Sequence, residues 1–142
     1  MRLKNKTAIV TGGASGFGKG IVEKFVKEGA KVVIADVNYD SAKELQSNLG
    51  DNTIAVNVDV SKKNEVDKMI EETIKNFSEI NILVQNAAIG MKPQPLLETS
   101  EELFDKLFAV NVKSVYLGAK AVIPIFKKQE KGGVILNTIS TA

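Results

Sequence analysis

The chain has no histidine, no cysteine and no tryptophan, and Arg2 is its only arginine. Without cysteine there can be no disulfide, thiolate metal site or thiol nucleophile. Without histidine, Ser-His-Asp hydrolysis, HExxH zinc chemistry and imidazole acid/base catalysis are all excluded. No metal is expected, and any ion present would be a hard one on carboxylates. A single arginine leaves little scope for bidentate phosphate clamps. Proline is scarce, at 3 residues, and no low-complexity tract interrupts the sequence. No uninterrupted run of eighteen apolar residues occurs, so no membrane crossing is expected. The start, Met1 to Lys6, lacks the apolar region and cleavage site of a secretory signal, which points to the cytoplasm. A net charge of +2 argues against nucleic acid or a membrane surface as partner.

What is present is an ordinary domain's worth of chain: 142 residues, 44% hydrophobic and 25% charged, enough to bury a core. Short β-branched runs alternate with longer helical patterns. Strands are expected at Thr7–Val10, Val32–Ala35, Thr53–Val58, Ile80–Val84 and Val134–Leu136. Between the first two lies a helix over Gly16–Glu28, with Ile21, Val22, Phe25 and Val26 on one face and Gly29 closing it. A second helix covers Asp40–Leu49. Ser61 is the expected N-cap of a third, running to about Phe77 with Val66, Met69, Ile70 and Ile74 inward. Thr99 with Glu102 reads as a capping box. The helical pattern from Ser100 to about Gln129 is too long to be uniform, and Pro124 must kink or end it. Strand alternating with helix predicts right-handed βαβ units and an α/β parallel sheet covered on both faces. The last strand has no covering helix after it, which suggests a piece of a larger chain.

The glycine loop between the first strand and first helix carries the chemistry. Thr11-Gly12-Gly13-Ala14-Ser15-Gly16-Phe17-Gly18 places four glycines within seven residues. Gly12 allows a sharp turn, Gly16 lets backbone approach a pyrophosphate, and Gly18 lets the helix pack closely. The helix N-terminus then offers N–H groups and a positive dipole to phosphate. A plain glycine-rich turn is the bland alternative. Gly13 to Lys19 also satisfies GxxxxGK of a P-loop, with Ile54–Asp59 as its acidic strand, but Gly20 stands where a Mg²⁺-binding hydroxyl is needed. Asp36 ends the second strand 18 residues after Gly18. That is the position of a carboxylate bonding the hydroxyls of an adenosine ribose, although a turn or capping aspartate would look the same.

These residues resemble the short-chain dehydrogenase/reductase family, over the whole chain. Thr11 to Gly18 matches its TGxxxGxG cofactor loop, which brings Ser15 and Phe17 to the cofactor with Gly12, Gly16 and Gly18. Asp59-Val60 matches the pair that holds adenine in the family. Asn86-Ala87-Ala88 stands within the family's Asn-Asn-Ala-Gly, with Gln85 and Ala88 replacing the first Asn and the Gly, both expected on the ribose side of the site. Asn111 matches the catalytic-relay asparagine, and Ser140 the catalytic serine after the fifth strand. The resemblance implies a Rossmann-like doubly wound sheet, here incomplete at about five strands, with residues 1–142 as its dinucleotide-binding domain. It implies NAD as cofactor, Asp36 disfavouring NADP, and hydride transfer between nicotinamide and a small-molecule alcohol or ketone, as in 3-oxoacyl reductases and sugar or hydroxysteroid dehydrogenases. It also implies a homo-oligomer, dimer or tetramer, for the parent protein. The family's Tyr-x-x-x-Lys pair follows the serine and has no counterpart before Ala142. Tyr116 and Lys120 have that spacing but precede Ser140, so Tyr116 is expected to pack and Lys120 to lie on the surface. The chain as it stands is therefore expected to be inactive, or else to be a non-catalytic dinucleotide-binding module.

Overall fold

A computed structural model describes residues 1–140. Strands β1 (Thr7–Thr11), β2 (Lys31–Asp36), β3 (Thr53–Asn57), β4 (Ile82–Gln85) and β5 (Val134–Asn137) form one parallel sheet in the order β3-β2-β1-β4-β5. Helices α1 (Gly16–Lys27), α2 (Tyr39–Leu49) and α3 (Lys63–Phe77) cross over between the first strands. After β4, a 3-10 turn (Leu96–Glu98) leads into α4 (Glu101–Phe108), a π turn (Ala109–Lys113) and α5 (Ser114–Lys128).

Successive strand residues face opposite sides of the sheet, and the register turns this alternation into two cores. Ile54, Val33, Ile9, Leu83 and Ile135 lie side by side across the five strands. They pack under α3 and α5, against Val66, Met69, Leu117, Val122 and Phe126. One residue further on, Ala55, Ile34, Val10 and Val84 face α1 and α2, against Val22, Ala42 and Leu45. β5 is covered on the first side only. Val134 and Leu136, turned to the other, remain 52% and 47% exposed.

Several helix and strand ends differ from the pattern-based expectation. Ser61 does not cap α3: its hydroxyl donates instead to Asp59 Oδ1, and the cap position falls to Lys62. The capping residue of α4 is Ser100, whose Oγ accepts from Leu103 N at 3.2 Å, while Thr99 is occupied by Gln94. β4 starts two residues later than expected. Ile80 is paired not by a strand but by Gln129, which accepts from Ile80 N and donates to Ile80 O at 3.1 and 2.7 Å. The long helical pattern is indeed interrupted, by the π turn rather than at Pro124, which lies within α5. The helical stretch Glu101–Lys128, taken across the π turn, is long and apolar enough by length and composition to cross a membrane. Here Leu117, Val122 and Phe126 of that stretch are buried against the sheet.

Asn81 stitches three strands at the amino end of the sheet. Its Oδ1 accepts from Thr7 N at 2.8 Å, its N–H donates to Thr7 O, and its carbonyl accepts from Val134 N. Replacing it leaves the buried Thr7 N–H without a partner. Asn81→Ala should therefore cost about 1–3 kcal/mol, read as a lower denaturation midpoint at unchanged slope.

Candidate functional site

In an open parallel sheet a crevice forms at the carboxyl ends of the strands where the chain order reverses, here between β1 and β4. A cleft of about 650 Å³ lies there. Every strand end contributes to it: Gly12, Ser15, Gly16 and Phe17 after β1, Asp36 and Val37 at β2, Val58, Asp59 and Val60 after β3, Asn86 to Ile89 after β4, and Thr138 after β5. Lys106 and Val110 complete the wall from the α4 side.

The glycine loop is shaped by close approach. Gly12 has φ +62°, and a Cβ there would stand 2.9 Å from Ala87 Cα. A Cβ on Gly18 would fall 1.9 Å from Gly12 O, so α1 rests directly on the loop as well as on the sheet. Gly16, at φ +51°, differs: a Cβ there would meet nothing within 4 Å. Ser15, at the cap position of α1, makes no side-chain cap bond. The first N–H groups of α1 are thereby left to solvent or an anion. Phe17 is 84% exposed at the cleft mouth.

Asn86 ties the two sides of the crevice. Its Nδ2 donates to Thr11 O at 3.1 Å and Gly12 O at 3.3 Å. Thr11 Oγ1 in return accepts from Asn86 N and Ala87 N at 3.0 and 3.1 Å. Asp36 is held by backbone alone: Oδ2 accepts from Ala14 N at 3.0 Å and Oδ1 from Asn38 N at 2.9 Å. Each oxygen keeps a lone pair for a further donor. At Asp59, Oδ1 accepts from both Ser61 N (3.0 Å) and Ser61 Oγ (2.6 Å).

Gln85 is a correction. It does not line the cleft but is buried beneath it, donating to Asn137 Oδ1 at 3.0 Å across β4 and β5. Its side chain also explains Gly118 of α5, where a Cβ would fall 2.3 Å from Gln85 Oε1. Ala88, by contrast, is in the wall. Asn111 sits in the π turn and clamps the β4 loop, accepting from Ile89 N at 2.9 Å and donating to Ile89 O at 2.8 Å. Ser140 is exposed, two residues beyond the cleft residue Thr138. Neither Asn111 nor Ser140 is among the cleft-lining residues. Tyr116 does not pack. It is 58% exposed, and its phenol oxygen accepts from Lys120 Nζ at 2.9 Å, which holds its pKa below the ordinary value. Lys120 is exposed, as expected.

Six lining residues lie outside the expected set: Val37, Val58, Ile89, Lys106, Val110 and Thr138. Val37, Val58, Ile89 and Val110 adjoin Asp36, Asp59, Ala88 and Asn111 in the sequence, whereas nothing in the pattern points to Lys106 or Thr138. The P-loop alternative finds no support. Lys19 is exposed on the flank of α1, 4.0 Å from Glu23, and Gly20 faces open space.

The family model for short chain dehydrogenases matches residues 6–142. The chain belongs to that family. It is 37% identical over 141 residues to 3beta-hydroxysteroid dehydrogenase 2 of Eggerthella lenta, covering 97% of this chain and 54% of that protein. It is likewise 37% identical to sorbitol dehydrogenase of Cereibacter sphaeroides, covering 100% and 55%. Among solved structures, a 3-ketoacyl-(acyl-carrier-protein) reductase from Brucella melitensis complexed with NADH superposes with a TM-score of 0.95 at 42% identity, over 98% of this chain and 59% of that one. The chain thus spans about half the length of the curated relatives it matches.

The Ser61 hydroxyl and amide, followed by Lys62, hold the Asp59 carboxyl below its ordinary 3.8. A lowered folded-state pKa stabilises the fold above 3.8, and that stabilisation is lost as pH falls through the lower folded value. Ser61→Ala should raise the Asp59 midpoint towards 3.8, read from carboxyl chemical shifts in an acid titration.

Proposed function

We propose that residues 1–142 form the dinucleotide-binding part of an NAD-linked oxidoreductase acting on a secondary alcohol or ketone. The observation that carries the reading is Asp36, fixed by two backbone N–H groups at the cleft with acceptor capacity to spare. An acceptor-only carboxylate suits a ribose diol, whose hydroxyls donate, and repels a phosphate. The residues around it fit the same group. The uncapped end of α1 and the open side of Gly16 suit the pyrophosphate, and Asp59 and Val60 suit the adenine. Asn86, Ala87 and Ala88 border the inner ribose.

When bound, NAD(H) accepts or supplies a hydride at the nicotinamide. This chain's contribution is to bind and orient it, with Ser140 assigned a hydrogen bond to the substrate oxygen and Asn111 a place in the proton relay. The substrate class draws support from the relatives, whose names give a hydroxysteroid, sorbitol and a 3-ketoacyl-(acyl-carrier-protein). All of them share an alcohol or ketone carbon.

NAD(H) should bind at least tenfold more tightly than NADP(H). Like charges about 4 Å apart repel by up to roughly 4 kcal/mol at an effective dielectric near 20, and no arginine stands near Asp36 to offset this. Asp36→Ala should narrow the ratio by weakening NAD and relieving NADP, measured by calorimetric titration of both. Equal affinities in the unmodified chain would overturn the assignment.

Gly16→Val should abolish dinucleotide binding while leaving the far-ultraviolet dichroism largely native. The new side chain forces a φ of +51° on a β-branched residue and fills the open side of the loop. Unchanged affinity would show that the pyrophosphate does not lie there.

A further inference from the structure

The turn after β3 is anchored by a carboxylate outside the cleft wall. Glu65, in the first turn of α3, reaches back so that its Oε2 accepts from the Asp59 backbone N–H at 2.7 Å. Asp59 O accepts from Lys62 N at 3.0 Å and closes the turn. Lys62 Nζ stands between two carboxylates, 3.7 Å from Asp59 Oδ2 and 3.6 Å from Glu65 Oε1. With Oδ1 given over to Ser61, Oδ2 is the oxygen of Asp59 left with acceptor capacity. Val60, 8% exposed, follows directly in the cleft wall.

We propose that Glu65 is a positioning residue for base selection: by holding the Asp59 N–H it fixes Oδ2 to accept from the exocyclic amine of adenine. The inference rests on the dinucleotide reading above. A carboxylate only accepts, so it favours an amine and opposes a carbonyl at the same ring position. That discrimination requires an oxygen that cannot turn away. Removing Glu65 frees the Asp59 N–H and one end of the turn. It also leaves Lys62 with Asp59 as its one remaining carboxylate, so the ammonium competes with the base for Oδ2.

The test compares NAD with nicotinamide hypoxanthine dinucleotide, in which an oxo group replaces the adenine amine. Dissociation constants are measured by calorimetry for the unmodified chain, Glu65→Ala and Glu65→Gln. The unmodified chain should prefer NAD by about tenfold, a modest ratio because the site is partly solvated. Glu65→Ala should reduce the preference to about twofold or less, mainly by weakening NAD. Glu65→Gln keeps an oxygen acceptor and should retain most of it. An unchanged ratio in Glu65→Ala, or equal weakening of both dinucleotides, would overturn the proposal, as would a glutamine variant no better than alanine. If Glu65→Ala does not fold, Glu65→Asp, one methylene too short to reach, should lower the ratio in the same direction. An unmodified chain that binds neither dinucleotide would instead overturn the underlying reading.

Discussion

The crevice depends on one side chain, Asn86, whose amide bridges the carbonyls of Thr11 and Gly12. At the point where a parallel sheet reverses its order, the loops after β1 and β4 leave in opposite directions. Nothing in the strand ladder holds them at a fixed separation. The Asn86 amide does so from one side and the Thr11 hydroxyl from the other. A single such bond contributes about 1 kcal/mol net. Their worth lies in geometry, because Gly12 and Gly18 leave no slack. With a Cβ position on Gly18 only 1.9 Å from Gly12 O, the start of α1 is placed by the same loop that Asn86 holds. Strand end, glycine loop and helix dipole thus share one anchor.

Two carboxylates line the same cleft as the uncapped end of α1. Asp36 and Asp59 are each turned by local N–H donors, Ala14 and Asn38 for the first and Ser61 for the second. They face the outer part of the cleft, at the ends of β2 and β3. The α1 N-terminus, with its partial positive charge, belongs to the loop after β1. Negative acceptors and positive donors are therefore segregated by strand. The strand order puts the free N–H donors in the middle of the sheet and the carboxylate acceptors on one side. A chain with one arginine and no histidine has few other means of drawing that distinction.

Most of this was legible wherever local rules decide the outcome. The strands, the glycine loop and Asp36 follow from period, conformational freedom and position within a βαβ unit. Expectations failed where two residues compete for one partner. Ser61 looks like a cap, but the carboxylate two residues earlier takes its hydroxyl, and Glu65 then reaches past the cap position to Asp59 N. Thr99 and Ser100 are adjacent candidates, and Gln94, from the preceding loop, occupies the threonine. Gln85 was misplaced because the path of a strand's last side chain depends on its neighbour, Asn137, 52 residues away. Tyr116 is expected to pack because its pair with Lys120 precedes Ser140, and position in the chain does not say which way a helix face turns. Its face of α5 is turned outward, and its nearest polar partner is its own i+4 lysine.

The π turn at Ala109–Lys113 accounts for Lys106 and Val110 in the cleft wall. It inserts an extra residue into the helical ladder and so rotates α4 relative to α5. α5 buries Leu117, Val122 and Phe126 against the sheet, whereas α4 buries none of its residues. Freed from the core, α4 leaves Phe104 and Phe108 outside, their rings 6.2 Å apart, and contributes Lys106 to the cleft wall, with Val110 following from the turn itself. Asn is a poor helix former because its amide competes for backbone groups. Here that competition is used: Asn111 bonds both backbone groups of Ile89. The loop after β4 and the π turn are thereby joined where the regular ladder is already broken. An asparagine that looks costly in a uniform helix is well placed in this one.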